Sequence, residues 1–300
     1  MDITANTNTK QISIHKYKKK SQLNIIWRRF RRNRMALIGL VIFGILLVIA
    51  LVSPLFIDYE RDVITQSISQ RFQGPSLAHL FGTDHFGRDI LCRVLWGARI
   101  SMFVGIGVVC IALTIGATLG AMAGYFGGVL DHVIMRIMDI LLAIPGTMLA
   151  ITIVAAFGGG ITNLVIALSV EQIPKMTRIV RSSVLTLKTQ EYIEAAKACG
   201  TNNTGIIVTH ILPNAIGPIL VQATLTVART IISIAGLSFI GLGIQPPSPE
   251  WGAMLSEAKT QLMNYPYLVF APGIAIVMTV TSLTLIGDGL RDALDPKLKN

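Results

Sequence analysis

The sequence predicts an all-α polytopic membrane protein with about six transmembrane helices, on three observations. The chain of 300 residues is 52% hydrophobic and only 14% charged, whereas soluble domains carry about 25% charged residues. Its apolar residues are gathered into uninterrupted stretches, and about 20 of them suffice for a helix to cross the hydrocarbon layer. The remaining charge, 26 Lys and Arg against 16 Asp and Glu for a net +10, is divided unevenly between alternate connecting segments. In a soluble protein that balance would raise nucleic-acid binding. Here orientation in a bilayer accounts for it, and no nucleic-acid partner is expected.

Residues 1–35 form a basic cytosolic N-terminal segment, with Lys10, Lys16, Lys18, Lys19, Lys20, Arg28, Arg29, Arg31, Arg32 and Arg34 ahead of the first apolar run. Such clusters resist translocation. Residues 36–57 carry no charge and exceed the roughly 7–15 residues of a secretory h-region, so they read as an uncleaved first span. An extracytoplasmic loop, 58–99, ends in DILCRVLWGARI. There Ile90, Leu91, Val94, Leu95 and Ala98 fall near helical spacing while Arg93 and Arg99 stay polar, predicting an interfacial helix.

The membrane core, 100–289, holds five further spans at about 100–123, 137–157, 160–180, 215–240 and 267–288, leaving a cytosolic tail at 290–300. Glu171, Pro174 and Lys175 interrupt the fourth span, so its lower end must face protein or water. On this topology both termini are cytosolic, and 19 Lys and Arg lie inside against six outside, in accord with the positive-inside rule. Cys92, Cys110 and Cys199 are odd in number and widely spaced, which implies no disulfide framework. The five histidines share no metal-ligand spacing, so no metal ligand is assigned.

The inner segment EYIEAAKACGTNNTGIIVTHILPN reads as a short helix from Glu191 to Cys199, a C-cap glycine at Gly200, and a second short helix ending before Pro213. Thr201, Asn202 and Asn203 are suitable N-caps for the second. Ala195, Ala196 and Ala198 leave one face bare for a docking surface, ringed by Glu191, Glu194 and Lys197. The plainer account of those alanines is helix propensity.

Glu194-Ala195-Ala196, then Gly200 after three intervening residues, then Leu212-Pro213 together resemble the EAA loop of ABC-importer permeases. His210 stands where the general pattern has isoleucine, although HILPN is similar to the peptide and nickel branch. Three further segments, HLFGTDHFGRDILCRVLWGARIS, GLSFIGLGIQPPSPEWGAML and LIGDGLRDALDPK, resemble the second permease subunit of dipeptide, oligopeptide, nickel and glutathione importers, the OppC/DppC type. Relatives commonly carry a glutamate near Ile234, so no role for that carboxylate passes to this chain.

The resemblance implies a type I importer fold in the cell membrane. It also implies a second, homologous permease subunit, two ATP-binding subunits and an extracytoplasmic substrate-binding protein as partners. The chain has no G-x-x-x-x-G-K-[ST] phosphate cradle, so it would hold no cofactor, and ATP and Mg would be bound by the ATPases. Glu194, Ala195, Ala196, Gly200, Leu212 and Pro213 would couple those motors to the spans. Cargo would be di- or oligopeptides, with nickel, metal chelates or glutathione as alternatives.

Within GTDHFGRD, Gly82 and Gly87 permit tight turns next to Thr83, and Asp84, Arg88 and Asp89 could pair with one another. The loop could pack against a partner or touch substrate. In QPPSPEWG the prolines stiffen a turn and Trp251 can anchor it at the interface.

Inside the spans, Arg136 and Asp139 lie three apart on one face. Glu171 could pair with Arg229 on another helix; otherwise Glu171 reaches the interface beside Gln172 and Lys175. A glycine-rich face of the second span, Gly105, Gly107, Gly116, Gly120 and Gly124, either packs closely on a neighbour or faces lipid. A competing class, an ion-gradient carrier, would use Asp139, Glu171 and Asp288 as proton relays. The absence of a visible inverted repeat argues against it.

Overall fold

The computed structural model describes residues 22–294. The basic residues at positions 10–20 and the tail lysines Lys297 and Lys299 lie outside that range. Helix α1 (Gln22–Phe30) and helix α2 (Arg34–Phe56) meet at Asn33, whose side chain accepts hydrogen bonds from the backbone N–H groups of Met35 and Ala36 at 3.1 and 3.2 Å. That cap satisfies two donors that the first turn leaves free. Beyond Arg34 the helix carries no charge, so it is long and apolar enough to span.

After a π-helical turn at Tyr59–Ile64 and a long loop, α3 runs unbroken over Ile90–Phe126. The sequence expectation of a separate interfacial helix ending near residue 99 is therefore not met. Arg93, expected on the polar face, is 1% exposed and its charge is met by acidic side chains, while Arg99 is exposed.

Helix α4 (Gly128–Ala143) and helix α5 (Gly146–Phe157) meet at a bend of 85° where a single span was expected. Pro145 has no N–H to continue the ladder, and Ile144 before it is held in extended geometry at φ −91° and ψ 129°. Helix α6 (Ile161–Lys188) descends to α7 (Glu191–Ala198). The turn α8 (Asn203–Gly205) and a π-helical stretch at Ile206–Ile211 then lead into α9 (Leu212–Phe239). Helices α10 (Trp251–Ala258) and α11 (Tyr267–Leu294) complete the fold.

By length and apolarity α2, α3, α9 with its lead-in, and α11 qualify as spans, and the bent α4–α5 pair makes a fifth if taken together. Helix α6, the expected fourth crossing, is 28 residues long but carries Glu171, Lys175, Arg178 and Arg181, so it depends on protein neighbours. Its main neighbour is α3. A Cβ on Gly120 would stand 2.5 Å from the Thr177 carbonyl oxygen, and one on Gly124 would stand 2.9 Å from Val184 Cβ. Gly116, Gly120 and Gly124 thus join α3 to α6 of the same chain, as small residues do where helix backbones approach closely, while Gly105 meets Ile231 of α9. Gly107 has nothing near it. Val108, Ala150, Leu164, Leu168 and Ile234 bring α5 and α9 onto this pair, while α11 packs between α2 and α9.

Candidate functional site

The elbow between α6 and α9 is a folded unit fixed by a few buried anchors. Helix α7 points Ile193 inward, where it is fully buried with Val184, Ile206 and Ile211. Gly200 follows the helix at φ +81°, the left-handed geometry that makes glycine the usual residue after a helix. Its N–H donates to the Lys197 carbonyl at 2.9 Å, and that of Thr201 to the Ala196 carbonyl at 3.1 Å. The Asn202 side chain accepts from Gly205 N–H at 2.7 Å, starting the next helical segment as its residue type predicts.

That segment does not end before Pro213. Helical geometry continues through Leu212 and Pro213, the proline lying where the π-helical stretch passes into α9. The elbow is therefore continuous with α9.

Two contacts tie the elbow to Tyr125 of α3, and a third holds α6 to the same residue. The Tyr125 hydroxyl donates to Asn203 Oδ1 at 2.8 Å. Lys188 Nζ donates to the Tyr125 carbonyl at 3.0 Å, and Lys197 Nζ lies 5.7 Å from the Tyr125 ring centroid, within cation–π range. What remains outward is a shallow surface of Glu191, Tyr192, Glu194 and Ala195, with Ala196 half-buried and Gly200 exposed. Among the described residues neither glutamate has an ion-pair partner.

At the opposite end, GTDHFGRD folds into a clasp. Gly82 and Gly87 have φ of +77° and +75°, as the turns require. Thr83 is fully buried and its hydroxyl accepts from Gln73 N–H at 2.9 Å. Asp84 Oδ2 accepts from Arg88 Nε at 2.6 Å, and Arg88 Nη2 donates to both Glu257 oxygens at 3.0 and 3.1 Å. Arg93 Nη2 reaches Glu257 Oε2 at 3.0 Å and Arg93 Nη1 reaches the Val63 carbonyl at 3.2 Å. Two guanidiniums and two carboxylates thus cancel in a nearly dry site that joins the loop to α3 and α10. Asp89 stands apart from this group, capping α3 through Cys92 N–H at 2.9 Å and meeting His79 Nδ1 at 2.8 Å.

Sequence reasoning missed Glu257, Glu250 and the burial of Arg93. Glu250 caps α10 by accepting from Ala253 N–H at 2.8 Å, and Ser101 donates to it at 3.3 Å. Burial pushes its carboxyl above the usual carboxylate range, against the downward pull of the Gly252 and Ala253 N–H groups. A glutamate just before a helix is a readable signal; Glu257 has no local one. Trp251 is fully buried, with its indole N–H donating to the Val94 carbonyl at 3.0 Å, and so is a core residue and not an interface anchor.

The charges inside the spans also pair differently from expectation. Asp139 meets Arg178 of α6 at 2.6 Å instead of Arg136, and Asp131 takes Arg181 through two bonds of 2.6 Å, so α4 is strapped to α6. Glu171 meets Lys175 at 2.8 Å and Gln172 at 3.2 Å, while Arg229 is exposed. The Glu171 carboxylate abuts the first residue of α5, since a Cβ on Gly146 would lie 2.5 Å from it.

The described residues thus form a helical bundle with a buried clasp at one end and an exposed elbow at the other. Comparison with known proteins gives the family. Residues 116–300 match the binding-protein-dependent transport system inner membrane component family, and residues 21–75 match the N-terminal TM domain of oligopeptide transport permease C; the chain belongs to this family of multi-pass inner-membrane permeases. Among curated relatives, a dipeptide transport system permease protein, DppC, of Alkalihalophilus pseudofirmus is 46% identical over 91% of this chain and 90% of its own. A glutathione transport system permease protein, GsiD, of Pectobacterium atrosepticum is 44% identical over 91% of both. The fold is similar to a chain of the MetNI methionine ABC transporter in inward-facing conformations, with a TM-score of 0.55 at 19% identity over 69% of this chain and 97% of that one.

Proposed function

We propose that this chain forms half of the translocation path of an ATP-driven importer of di- or oligopeptides. The observation that carries the reading is 46% identity, across 91% of the chain, to a dipeptide permease. In this reading a second, homologous permease completes the path, an extracytoplasmic binding protein delivers the peptide, and two separate ATPases bind ATP and Mg on the cytosolic side. Both termini lie on that side, and this chain performs no hydrolysis itself. The elbow carrying Glu194, Ala195, Ala196 and Gly200 receives the motion of the motors. Its continuity through Leu212 and Pro213 into α9 passes that motion on as rigid-body displacement, biasing two packings of the bundle. The Thr83, Asp84, Arg88 and Asp89 clasp, with Gly82 and Gly87 at its turns, holds the outer mouth in shape. Glutathione, itself a tripeptide, is a second cargo supported by the relative at 44% identity.

The test is uptake by vesicles holding the four membrane-associated subunits and the binding protein. Labelled dipeptide should enter with ATP inside and should continue to enter with an uncoupler present. Uptake that ignores ATP and collapses with the uncoupler would establish an ion-gradient carrier instead. Competition by glutathione distinguishes the two peptide readings.

A further inference from the structure

Helix α1 and the adjoining ends of α9 and α11 enclose a trough whose two halves differ in chemistry. One half, of about 400 Å³, is walled by Ile26, Trp27, Phe30, Leu220, Ile286 and Leu290, with no charged side chain among its lining residues. The other, of about 630 Å³, shares Ile26, Ile216, Gly217 and Leu294 with the first. It adds Arg291 together with Asn214 and Gln222. The depression is therefore continuous and amphiphilic, apolar at one end and cationic at the other.

Among the described residues its cationic end has no ion-paired counter-charge. Arg291 is exposed, and among the described residues no carboxylate lies within ion-pair distance of it. The neighbouring Asp292 accepts from Asn33 Nδ2 at 3.2 Å. Arg28, Arg31, Arg32 and Arg34, exposed around the junction of α1 and α2, are likewise without ion pairs among the described residues. Helix α1 thus turns Ile26, Trp27 and Phe30 into the trough while its arginines remain unneutralised beside it.

We propose that this trough is a binding site for an anionic phospholipid, with an acyl chain along the apolar half and the headgroup phosphate at Arg291. The order of chemistry matches a phospholipid from tail to phosphate, and guanidinium is the side chain best shaped to hold phosphate oxygens. A neighbouring apolar helix would cover the first half but leave the arginines unneutralised. The polar half is also lined by Pro213 and Asn214, so the lipid would sit where the elbow enters α9. The inference does not depend on what the chain transports.

The test uses Trp27, which is 54% exposed and lines the apolar half. The full chain, with its co-purified partner subunits, is placed in phosphatidylcholine vesicles containing equal mole fractions of brominated phosphatidylglycerol or brominated phosphatidylcholine. The Trp27 contribution is isolated by difference from Trp27→Phe. Brominated phosphatidylglycerol should quench it about fivefold more effectively, the factor that corresponds to about 1 kcal/mol for one basic residue at an anionic surface. Arg291→Gln should lower that ratio at least twofold. Leu220→Phe, which fills the apolar half without touching a charge, should weaken quenching by both lipids. Equal quenching by the two lipids, or a ratio unchanged in Arg291→Gln, overturns the proposal. So does protection of Trp27 from both lipids together with its cross-linking to a partner subunit, which would make a protein helix the occupant.

Discussion

Replacing Glu257 with alanine takes one of two anions from a site that holds two cations. Arg88 and Arg93 side chains are each 1% exposed, and Asp84 and Glu257 are 10% and 12% exposed. The variant leaves one buried positive charge without compensation and removes three charge-assisted hydrogen bonds, two from Arg88 and one from Arg93. Breaking a buried ion pair from one side costs about 3–5 kcal/mol. The slight exposure of both carboxylates places this site near the lower end, about 3 kcal/mol, or roughly a hundredfold in the unfolding equilibrium. At about 2–4 °C per kcal/mol, thermal unfolding in detergent should begin some 6–12 °C lower.

Glu257→Gln keeps the shape and should fall between the variant and wild type. Pairing Glu257→Ala with Arg93→Met, which removes the excess cation, should recover part of the loss; that non-additivity distinguishes a charge effect from a cavity. An onset within 1 °C of wild type for Glu257→Ala would refute the reasoning, since it would mean that water or a rearranged Asp84 neutralises both arginines.

Three further outcomes follow from the same geometry. Gly120→Leu should separate α3 from α6, because even a Cβ would lie 2.5 Å from the Thr177 carbonyl; at an overpacking cost of about 1–3 kcal/mol or more, size-exclusion chromatography should show aggregated in place of monodisperse protein. Burial raises the folded-state pKa of Glu250, so its protonated form favours the fold, and stability should fall as pH rises from the ordinary carboxylate range through the raised value. Glu250→Gln should remove that slope from melting curves taken across the interval, and an unchanged slope would exclude Glu250 as its source. Gly200→Val forces a β-branched residue to φ +81° at a cost of about 1–3 kcal/mol; the protein should still reach the membrane but transport several-fold more slowly at equal ATP hydrolysis, which uptake and ATPase assays in the same vesicles would measure.

Much of this architecture is legible in the sequence where the determinant is local. The spans at α2, α9 and α11 declare themselves because about 20 apolar residues run together there, and Gly200 with Asn202 marks the elbow because cap geometry selects those residue types. The bend between α4 and α5 was missed although Pro145 signals it, since hydropathy measures apolarity and is blind to a change of direction. Arg93 misled for a different reason: its partner Glu257 lies 164 residues away, so no window along the chain reveals that this guanidinium is neutralised. The same competition moved Asp139 from Arg136 on its own helix to Arg178 on α6. In each case a contact between distant segments outweighed the preference of the nearest neighbour.

Cys199, native, exposed and next to Gly200, offers the most direct probe of the elbow as the site where the motors engage. In inner membranes containing the assembled transporter, a short bifunctional thiol–amine reagent should link Cys199 to an ATP-binding subunit, with a yield that changes when ATP is trapped, and Cys199→Ser should abolish the product. If the reagent captures lipid-facing or extracytoplasmic proteins but no ATPase in either nucleotide state, the elbow is not the point of coupling.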